Sequence, residues 1–305
     1  MVAFLKLIRY KNLLMVLLTM VLTKYAIINS FTTLFDFQFT LLIVSILCIT
    51  ASGYIINDIF DVKADVINKP AKVFIGKSIS KKNAQFVYLI LIILGFLFGV
   101  YASYLKGDFS YSIFFIGTII LLFWYSKTLK KIAFIGNIVV SFLTTLTLLI
   151  VFVFELESVN SAATIFEAIV NFFRLIPTAI ALLCYIIFAF SITLIREIIK
   201  DIEDIKGDYS LKMKTLPILI GVNRTKNVAF VISAFVFLFL VFILKVELIH
   251  FPLLFWYAIL FIILPFTWFF YKLNSAKTIM NFSELSRLLK LIMCFGILSM
   301  LFIRL

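Results

Sequence analysis

Nine long apolar runs divide the chain, and they restrict its fold more than any other feature of the sequence. Each is about 18 residues or longer with few charges, enough to cross about 30 Å of hydrocarbon as an α-helix. They lie near residues 12–34, 38–57, 84–106, 110–126, 134–154, 175–198, 226–246, 252–272 and 287–304. The runs do not alternate polar with apolar residues, as the strands of a membrane barrel would. The sequence therefore predicts an all-α, polytopic membrane protein with nine transmembrane helices.

The distribution of positive charge predicts the orientation of these helices. Of the 28 Lys and Arg residues, 23 lie in, or at the ends of, the N-terminal segment and the connections after spans two, four, six and eight. With nine spans, these segments share one side of the membrane, which the positive-inside rule makes cytoplasmic. We therefore expect a multi-pass protein of the cell (inner) membrane with a cytoplasmic N-terminus and an external C-terminus. Topology signals and attraction to the lipid bilayer explain the net charge of +13, so no nucleic-acid partner is expected.

Residues that support thiol, zinc or histidine chemistry are scarce. Cys48, Cys184 and Cys294 occur singly within apolar runs, and the single histidine, His250, lies near the outer end of the seventh span. Without a Cys-x-x-Cys or Cys/His spacing, buried thiols are favoured over metal ligands or disulfides. A zinc site and a histidine-dependent catalytic triad are excluded.

Two similar acidic decapeptides interrupt the apolar pattern, INDIFDVKAD at 56–65 and IKDIEDIKGD at 199–208. In each, three aspartates are spaced three and then four residues apart, which on a helix places them in one stripe. The first motif comprises Asn57, Asp58, Asp61 and Asp65, and the second comprises Asp201, Asp204 and Asp208. Like charges at that spacing repel, and carboxylates at the end of a span are costly, so each stripe indicates a bound cation. A solvated loop face is the alternative for either motif taken alone.

The ligand chemistry indicates which cation these motifs hold. Oxygen ligands without His or Cys favour Mg²⁺, Mn²⁺ or Ca²⁺, and Mg²⁺ usually completes its coordination with water and substrate phosphate. We therefore predict Mg²⁺ as the cofactor and a polyphosphate as the substrate. The predicted metal ligands are Asn57, Asp58, Asp61, Asp65, Asp201, Asp204 and Asp208.

The decapeptides belong to a longer internal similarity. They lie 143 residues apart, and at an offset one residue larger the pairs Lys82 and Asn83, Phe86 and Val87 match Lys226 and Asn227, Phe230 and Val231. We interpret residues 1–305 as one domain of two pseudo-repeated four-helix halves, about 1–130 and 131–272, with a ninth helix at 287–304. Chance similarity in a biased composition is the alternative.

Both motifs resemble those of a known family. NDIFDVKAD fits the pattern NDxxDxxxD, and DIKGD (204–208) fits DxxxD, both typical of the UbiA superfamily of intramembrane prenyltransferases, which the whole chain resembles. LIRYKN (7–12) is similar to the family's Arg-x-x-Asn entrance to the first helix. NKPAKVFIGKSIS (68–80) is similar to its Asn-Arg-Pro-x-Arg-Pro-x-x-x-Gly-x-Ile-Ser segment, with lysines in place of both arginines and Val73 in place of the second proline. WYSKTLKKIAFIGN (124–137) is similar to its Tyr-x-x-x-Lys region, although the favoured lysine, Lys130, lies five residues after Tyr125, and Lys127 and Lys131 are the alternatives.

The resemblance implies Mg²⁺-dependent transfer of a prenyl group from an allylic prenyl diphosphate to a hydrophobic, lipid-soluble acceptor. The residues implied in catalysis are Asp61, Asp65, Asp204, Asp208 and Lys130. Those implied in substrate binding are Asn12, Lys69, Lys72, Tyr125, Arg196 and Lys200. Because the first motif begins with neutral Asn57 and the second with the cation Lys200, we expect the first to hold Mg²⁺ more directly.

The acceptor is predicted from the second motif. REIIKDIEDIKGD followed by KTLPI is most similar to the branch that alkylates the free hydroxyl of geranylgeranylglyceryl phosphate, as in ether lipid synthesis. An aromatic quinone precursor, 4-hydroxybenzoate or 1,4-dihydroxy-2-naphthoate, is the alternative. A non-enzymatic transporter is the alternative of another class, disfavoured because the aspartates lie at span ends and not at the membrane midplane. Prenyl chain length and oligomeric state have no signature in the sequence.

Overall fold

The protein is an assembly of membrane-length helices. The computed structural model describes residues 2–28, 34–155, 165–246 and 251–303, and within these ranges it does not describe the side chains of Val2, Lys72 and residues 165–176. Within these ranges, nine helices are long and apolar enough to cross a membrane, and β-structure is limited to isolated bridges. The predicted all-α class and nine spans are confirmed. His250, predicted to lie near the outer end of the seventh span, falls outside the described residues.

The described chain contains thirteen α-helices. They are α1 (Val2–Leu7), α2 (Tyr10–Leu22), α3 (Asp36–Asn68), α4 (Lys81–Lys106), α5 (Ser112–Lys127), α6 (Ile135–Glu155), α7 (Ile165–Glu203), α8 (Ile205–Ser210), α9 (Leu216–Ile220), α10 (Val222–Val246), α11 (Pro252–Ala258), α12 (Leu264–Ser275) and α13 (Ile279–Leu298). A π-helical segment extends α2 to Ile28, and another across Ile259–Ile263 joins α11 to α12, so that these two form one span.

Helix α3 extends well beyond the span predicted from its apolar residues. The apolar run ends near residue 57, whereas the helix continues to Asn68. Lys69 and then Pro70 follow it. The residue before a proline is disfavoured in the α conformation, and the polar residues 57–68 include no glycine or proline that would end the helix earlier. With 33 residues, α3 is about 50 Å long, which exceeds the hydrocarbon thickness. Its last turns therefore project beyond the membrane core and carry the first motif with them.

Helix α13 also begins earlier than its apolar run. The run starts near residue 287, but the helix starts at Ile279 because Thr278 caps it. The Thr278 hydroxyl accepts a hydrogen bond from Asn281 N at 3.3 Å, and the Asn281 side chain accepts one from Thr278 N at 3.1 Å. This reciprocal pair satisfies backbone donors that a helix start leaves free.

Small residues allow neighbouring helices to approach closely. Ser45 on α3 donates a hydrogen bond to the Gly95 carbonyl on α4 at 2.6 Å, and a Cβ at Gly95 would lie 2.8 Å from Ile49. Because lipid is as apolar as the helix surfaces, close packing and interhelical hydrogen bonds hold spans together. The Gly95 contact therefore fixes α4 against α3.

Two large apolar cores and one smaller cluster connect the described helices, and α7 contributes to both large cores. One core contains side chains of α2 to α7, including Phe115, Phe154 and Leu182. The other is formed by α7, α10, α12 and α13, including Ile195 and Phe266. Helix α7 is therefore the wall shared by both cores. The division of the chain into two related halves stays a prediction.

Candidate active site

The first acidic motif occupies the last three turns of α3. Because the helix is unbroken there, Asn57, Asp58, Asp61 and Asp65 lie on one face of it. Asn57 Nδ2 donates a hydrogen bond to Asp61 Oδ2 at 2.8 Å. Two other segments of the chain contact this face. The turn with Lys130 lies on one side of it, and the N-terminal segment with Arg9 lies on the other.

Lys130 approaches one flank of this motif. Its Nζ lies 2.5 Å from Asp61 Oδ1 and 3.1 Å from Asn57 Oδ1, and its side chain is 9% exposed. Burial lowers the pKa of Lys130, although the Asp61 carboxylate opposes that effect. A Cβ at Gly136 would lie 2.8 Å from Lys130 Cα, so the turn that carries Lys130 packs directly against the start of α6.

The other two lysines of this turn differ from Lys130. Lys127 and Lys131 are exposed, and neither forms an ion pair with a carboxylate among the described side chains. Of the three, the structure brings only Lys130 to the aspartates. The lysine favoured by the sequence is therefore the one that contacts the first motif, and its role toward substrate stays a prediction.

Arg9 occupies the opposite flank and was not among the predicted site residues. Its Nη2 donates to Asp58 Oδ1 at 2.7 Å, and its guanidinium lies 4.9 Å from the centre of the Tyr54 ring. Burial acts to lower the pKa of Arg9, but the Asp58 carboxylate outweighs it and raises that pKa, so Arg9 remains charged. The Arg-x-x-Asn pattern of residues 9–12 contained the signal for Arg9.

The second acidic motif crosses an interruption between two helices. Asp201 lies in α7, Asp204 has φ −97° and ψ 6° between α7 and α8, and Asp208 lies in α8. The sequence predicted one continuous helical stripe here, and the structure corrects that prediction. The physical reason is the close passage of α8 across the end of α3, where a Cβ at Gly207 would lie 2.3 Å from Asn68 Nδ2.

Asn68 joins the two motifs through backbone hydrogen bonds. Its Oδ1 accepts from Gly207 N at 2.8 Å, and its Nδ2 donates to Asp204 O at 2.9 Å. The first residue of the NKPAK segment is therefore structural in this protein. No spacing rule within either decapeptide would have identified it.

Lys69 and Asn137 contact the second motif. Lys69 Nζ lies 2.7 Å from Asp204 Oδ1 and 3.2 Å from Glu203 Oε1. Burial opposes the charge of Lys69, but Asp204 outweighs burial and raises the pKa of this lysine. Asn137 Nδ2 donates to Asp201 Oδ2 at 2.9 Å. The side chain of Lys72, also predicted to bind substrate, lies outside the described side chains.

The two motifs lie within electrostatic reach of each other. Burial, together with repulsion from the carboxylates of Asp204 and Asp61, raises the pKa of Asp208 to about 7. Asp61 belongs to the first motif and Asp208 to the second, so negative charge accumulates between them. A divalent cation would relieve this repulsion.

The donor chemistry fits Mg²⁺. Within the described ranges, no three His, Cys, Asp or Glu side chains form a preformed metal cage, and Asp58, Asp61, Asp201 and Asp204 instead contact Arg, Lys or Asn side chains. Mg²⁺ needs no such cage, because it is usually bound by one or two carboxylates, waters and substrate phosphate. The seven predicted metal ligands remain a prediction that this arrangement can accommodate.

Tyr125 lies within electrostatic reach of both acidic motifs. The charged groups that act most on the Tyr125 hydroxyl are Glu197, Asp61, Asp201 and Arg9. Glu197 accepts hydrogen bonds from Arg196 Nη1 at 2.8 Å and from Lys200 Nζ at 2.9 Å. Two predicted substrate-binding residues, Arg196 and Lys200, are thus linked through Glu197, which the predicted site did not include.

Asn12 connects the first span to the ninth. Its Nδ2 donates to the Tyr54 hydroxyl at 3.3 Å, and its Oδ1 accepts from Lys290 Nζ at 2.5 Å. Lys290 lies on α13, 278 residues away in sequence, and no motif indicated it. The ninth helix therefore contributes a cation next to the candidate site.

An apolar cavity lies below the first motif. Its volume is about 180 Å³, and it is lined by residues of α3, α5 and α6, among them Thr50, Phe114 and Leu146. Thr50 precedes Asn57 by seven residues, which on a helix is about 10 Å deeper in the membrane. A hydrocarbon chain attached to a group at the aspartates could extend into this cavity.

Comparison with known proteins identifies the family. The model of the UbiA prenyltransferase family matches residues 12–289. The digeranylgeranylglyceryl phosphate synthase of Saccharolobus solfataricus is 30% identical over 264 residues, which cover 83% of this chain and 80% of that protein. The synthase of the same name from Sulfurisphaera tokodaii is 33% identical over 177 residues, which cover 58% of this chain and only 55% of that relative.

Solved structures have the same fold. A structure of digeranylgeranylglyceryl phosphate synthase superposes with a TM-score of 0.63 at 24% identity, over 98% of this chain and 96% of that one. A UbiA homolog from Archaeoglobus fulgidus bound to GPP and Mg²⁺ superposes with a TM-score of 0.59 at 14% identity, over 98% and 99% of the two chains. At these identities, the structural similarity shows a common fold. The match to the family model spans most of the sequence and includes both acidic motifs. The chain therefore belongs to the UbiA prenyltransferase family.

Proposed function

We propose that this protein is an Mg²⁺-dependent prenyltransferase that joins the prenyl group of an allylic diphosphate to geranylgeranylglyceryl phosphate. One observation carries the proposal: two acidic motifs and their cations converge above an apolar cavity. The names of the relatives from S. solfataricus and S. tokodaii support the acceptor. The A. fulgidus homolog bound to GPP and Mg²⁺ supports the donor and the metal.

The aspartates and their neighbouring cations would bind the diphosphate of the donor. The first motif on α3 and the second on α7 and α8 would hold Mg²⁺, which when bound supplies positive charge that stabilises the leaving diphosphate. Lys130 and Lys69 lie at the carboxylates of Asp61 and Asp204 and can donate to diphosphate oxygens from two sides. The Tyr125 hydroxyl lies within electrostatic reach of Asp61 and Asp201 and would provide a further hydrogen bond.

The cavity would bind the prenyl chain and exclude water. Loss of diphosphate leaves an allylic carbocation, which water would quench. The described lining is apolar apart from threonines, so a chain placed there is shielded while the acceptor hydroxyl attacks. The bond from C1 to the diphosphate oxygen breaks, a bond from C1 to the acceptor oxygen forms, and the hydroxyl proton passes to the released diphosphate.

The proposed orientation places the aspartate end of the bundle in the cytoplasm. The Lys and Arg residues concentrate in the N-terminal segment and in the connections at that end, as the positive-inside rule requires. The N-terminus would then be cytoplasmic and the C-terminus external, in the cell membrane. The reaction of the prenyl diphosphate would then take place on the cytoplasmic side of the membrane.

One experiment tests the proposed function. Purified protein in detergent is incubated with Mg²⁺, labelled geranylgeranyl diphosphate, and either geranylgeranylglyceryl phosphate, 4-hydroxybenzoate or 1,4-dihydroxy-2-naphthoate. We expect a product with the mass of the digeranylgeranyl ether, and release of diphosphate that depends on the acceptor. A prenylated aromatic product would replace the proposed acceptor, and failure to release any diphosphate would refute prenyl transfer.

A further inference from the structure

A group of cations that lacks matching carboxylates lies beside the aspartate site. Lys290 on α13 is half-buried, and its Nζ contacts Asn12 Oδ1 at 2.5 Å. No carboxylate of the described side chains lies within ion-pair distance of it. Three further cations, Arg196, Lys11 and Arg9, act electrostatically on the Lys290 ammonium. Positive charge is therefore concentrated where α2, α7 and α13 meet.

The nearby carboxylates are too few to balance these charges. Arg196 donates to Glu197 through Nη1, but the same carboxylate also accepts from Lys200 at 2.9 Å. Arg196 Nε is buried and has no hydrogen-bond partner among the described groups. A buried donor without a partner and a half-buried cation without a counter-ion are both unfavourable, and an anion bound between them would relieve both.

This cation group is distinct from the lysines at the aspartates. Lys130 and Lys69 contact Asp61 and Asp204, whereas Lys290 contacts Asn12, whose Nδ2 reaches the Tyr54 hydroxyl at 3.3 Å. The Tyr54 ring in turn contacts Arg9, which is bonded to Asp58. Arg9, which acts on Lys290 and is also bonded to Asp58, thus lies where the two positive regions meet.

We propose that Lys290 and Arg196 bind the phosphate group of the acceptor, in a subsite next to the diphosphate site. This inference rests on the proposed function and adds to it a residue of the ninth span that determines acceptor specificity. A phosphomonoester carries up to two negative charges and several acceptor oxygens, which matches an ammonium and an unsatisfied guanidinium N–H. An acceptor lipid with its phosphate at this position would keep its chains within the bilayer.

The variant Lys290→Met tests the subsite, because it removes the charge and keeps an unbranched side chain. We expect the KM for geranylgeranylglyceryl phosphate to rise about 10-fold or more, since a charge-assisted hydrogen bond is lost. The KM for geranylgeranyl diphosphate should change less than about 2-fold by the same argument, because Lys290 does not contact the aspartates. Lys290→Arg should restore most of the acceptor affinity. Arg287→Met, an exposed cation one turn earlier on the same helix, is the matched control.

Two further experiments test whether the anion bound at Lys290 is the phosphate of the acceptor. They also separate this inference from the proposed function. Orthophosphate should compete with the acceptor in the wild-type protein, and less so in Lys290→Met. Thermal stabilisation of the wild-type protein by geranylgeranylglyceryl phosphate without donor should be reduced in the variant, which reports binding independently of turnover. An equal rise in the KM for the diphosphate donor would assign the subsite to the donor and overturn the inference, as would an unchanged acceptor KM. In both cases product formation by the wild-type protein still supports the proposed function, whereas a wild-type protein without that product overturns both.

Discussion

Asn68 at the end of α3 is bonded to Gly207 of α8, with Asn68 Oδ1 accepting from Gly207 N at 2.8 Å. The same side chain donates to Asp204 O at 2.9 Å. These two bonds connect the end of the first motif to the backbone of the second. The distance between the aspartates of the two motifs therefore depends on an amide side chain and on a residue without a Cβ.

Gly207→Ala should disturb the site without removing any polar group. The new Cβ would lie 2.3 Å from Asn68 Nδ2 and 2.8 Å from Ala64 O, so α8 must move. We expect turnover to fall about 10-fold or more, since small misplacements of catalytic groups have large effects, with a higher Mg²⁺ requirement. The measurement is product formation against Mg²⁺ concentration. Gly117→Ala on α5 is the matched control, because a Cβ there meets no atom within 4 Å. Unchanged kinetics in Gly207→Ala would show that the close passage of α8 is not required.

Asp61→Asn or Asp204→Asn should reduce prenyl transfer by at least about 100-fold, because each removes a charged oxygen from the proposed metal site. Asp108→Asn is the control, since Asp108 is exposed and, among the described residues, accepts a hydrogen bond only from Ser110 N. Product formation and membrane insertion are measured for all three variants. Wild-type turnover in either site variant would contradict the metal-site assignment.

Lys130→Met should lower kcat/KM for the prenyl diphosphate about 10-fold or more, because a charge-assisted hydrogen bond to the leaving group is lost. Lys127→Met and Lys131→Met remove exposed lysines of the same turn and should remain within about 2-fold of wild type by the same reasoning. Steady-state kinetics with varied donor concentration distinguish the three. An equal loss in all three variants would indicate a general effect of positive charge and not a specific contact.

Removal of divalent metal should stop the reaction. Chelation by EDTA is expected to abolish product formation, and Mg²⁺ or Mn²⁺ should restore it, because hard carboxylate and amide oxygens favour these ions. Zn²⁺ should restore less, since the proposed ligands include no His or Cys. Turnover that persists in metal-free protein would count against the role of both acidic motifs.

A buried ion pair at the opposite end of the bundle should contribute strongly to stability. Lys24 Nζ lies 3.0 Å from Glu155 Oε1, and it also donates to Leu34 O at 2.7 Å. Lys24→Met breaks this buried pair by removing its cation and should lower the free energy of unfolding by about 3–5 kcal/mol. Lys272→Met breaks the more exposed pair with Glu284 and should lower the stability much less, because solvent screens that pair.

Thermal unfolding in detergent measures both variants. The double variant Lys24→Met with Glu155→Gln should be more stable than Lys24→Met alone, because a neutral amide costs less to bury than a carboxylate. Equal melting temperatures for Lys24→Met and Lys272→Met would show that the buried pair contributes no more to stability than the pair of Lys272 with Glu284.

The local part of the site could be predicted from the sequence because it depends on spacing within one element. The positions of Asp58, Asp61 and Asp65 on one face follow from helical periodicity, and α3 continues through them to Asn68. The second motif did not follow its spacing, since contact with α3 interrupts the helix at Asp204. Periodicity contains no information about a neighbouring helix.

The sequence by itself determined that the chain crosses the membrane as helices, because hydrocarbon requires every backbone group of nine long apolar runs to be satisfied within a helix. It also determined which carboxylates form each motif. Only the tertiary structure decided which cations meet them: Arg9 reaches Asp58 across 49 residues, and Lys69 reaches Asp204 across 135. Such pairs form because packed helices bring distant segments within hydrogen-bond distance, and charges there must find partners. A residue's own sequence neighbourhood does not specify that partner.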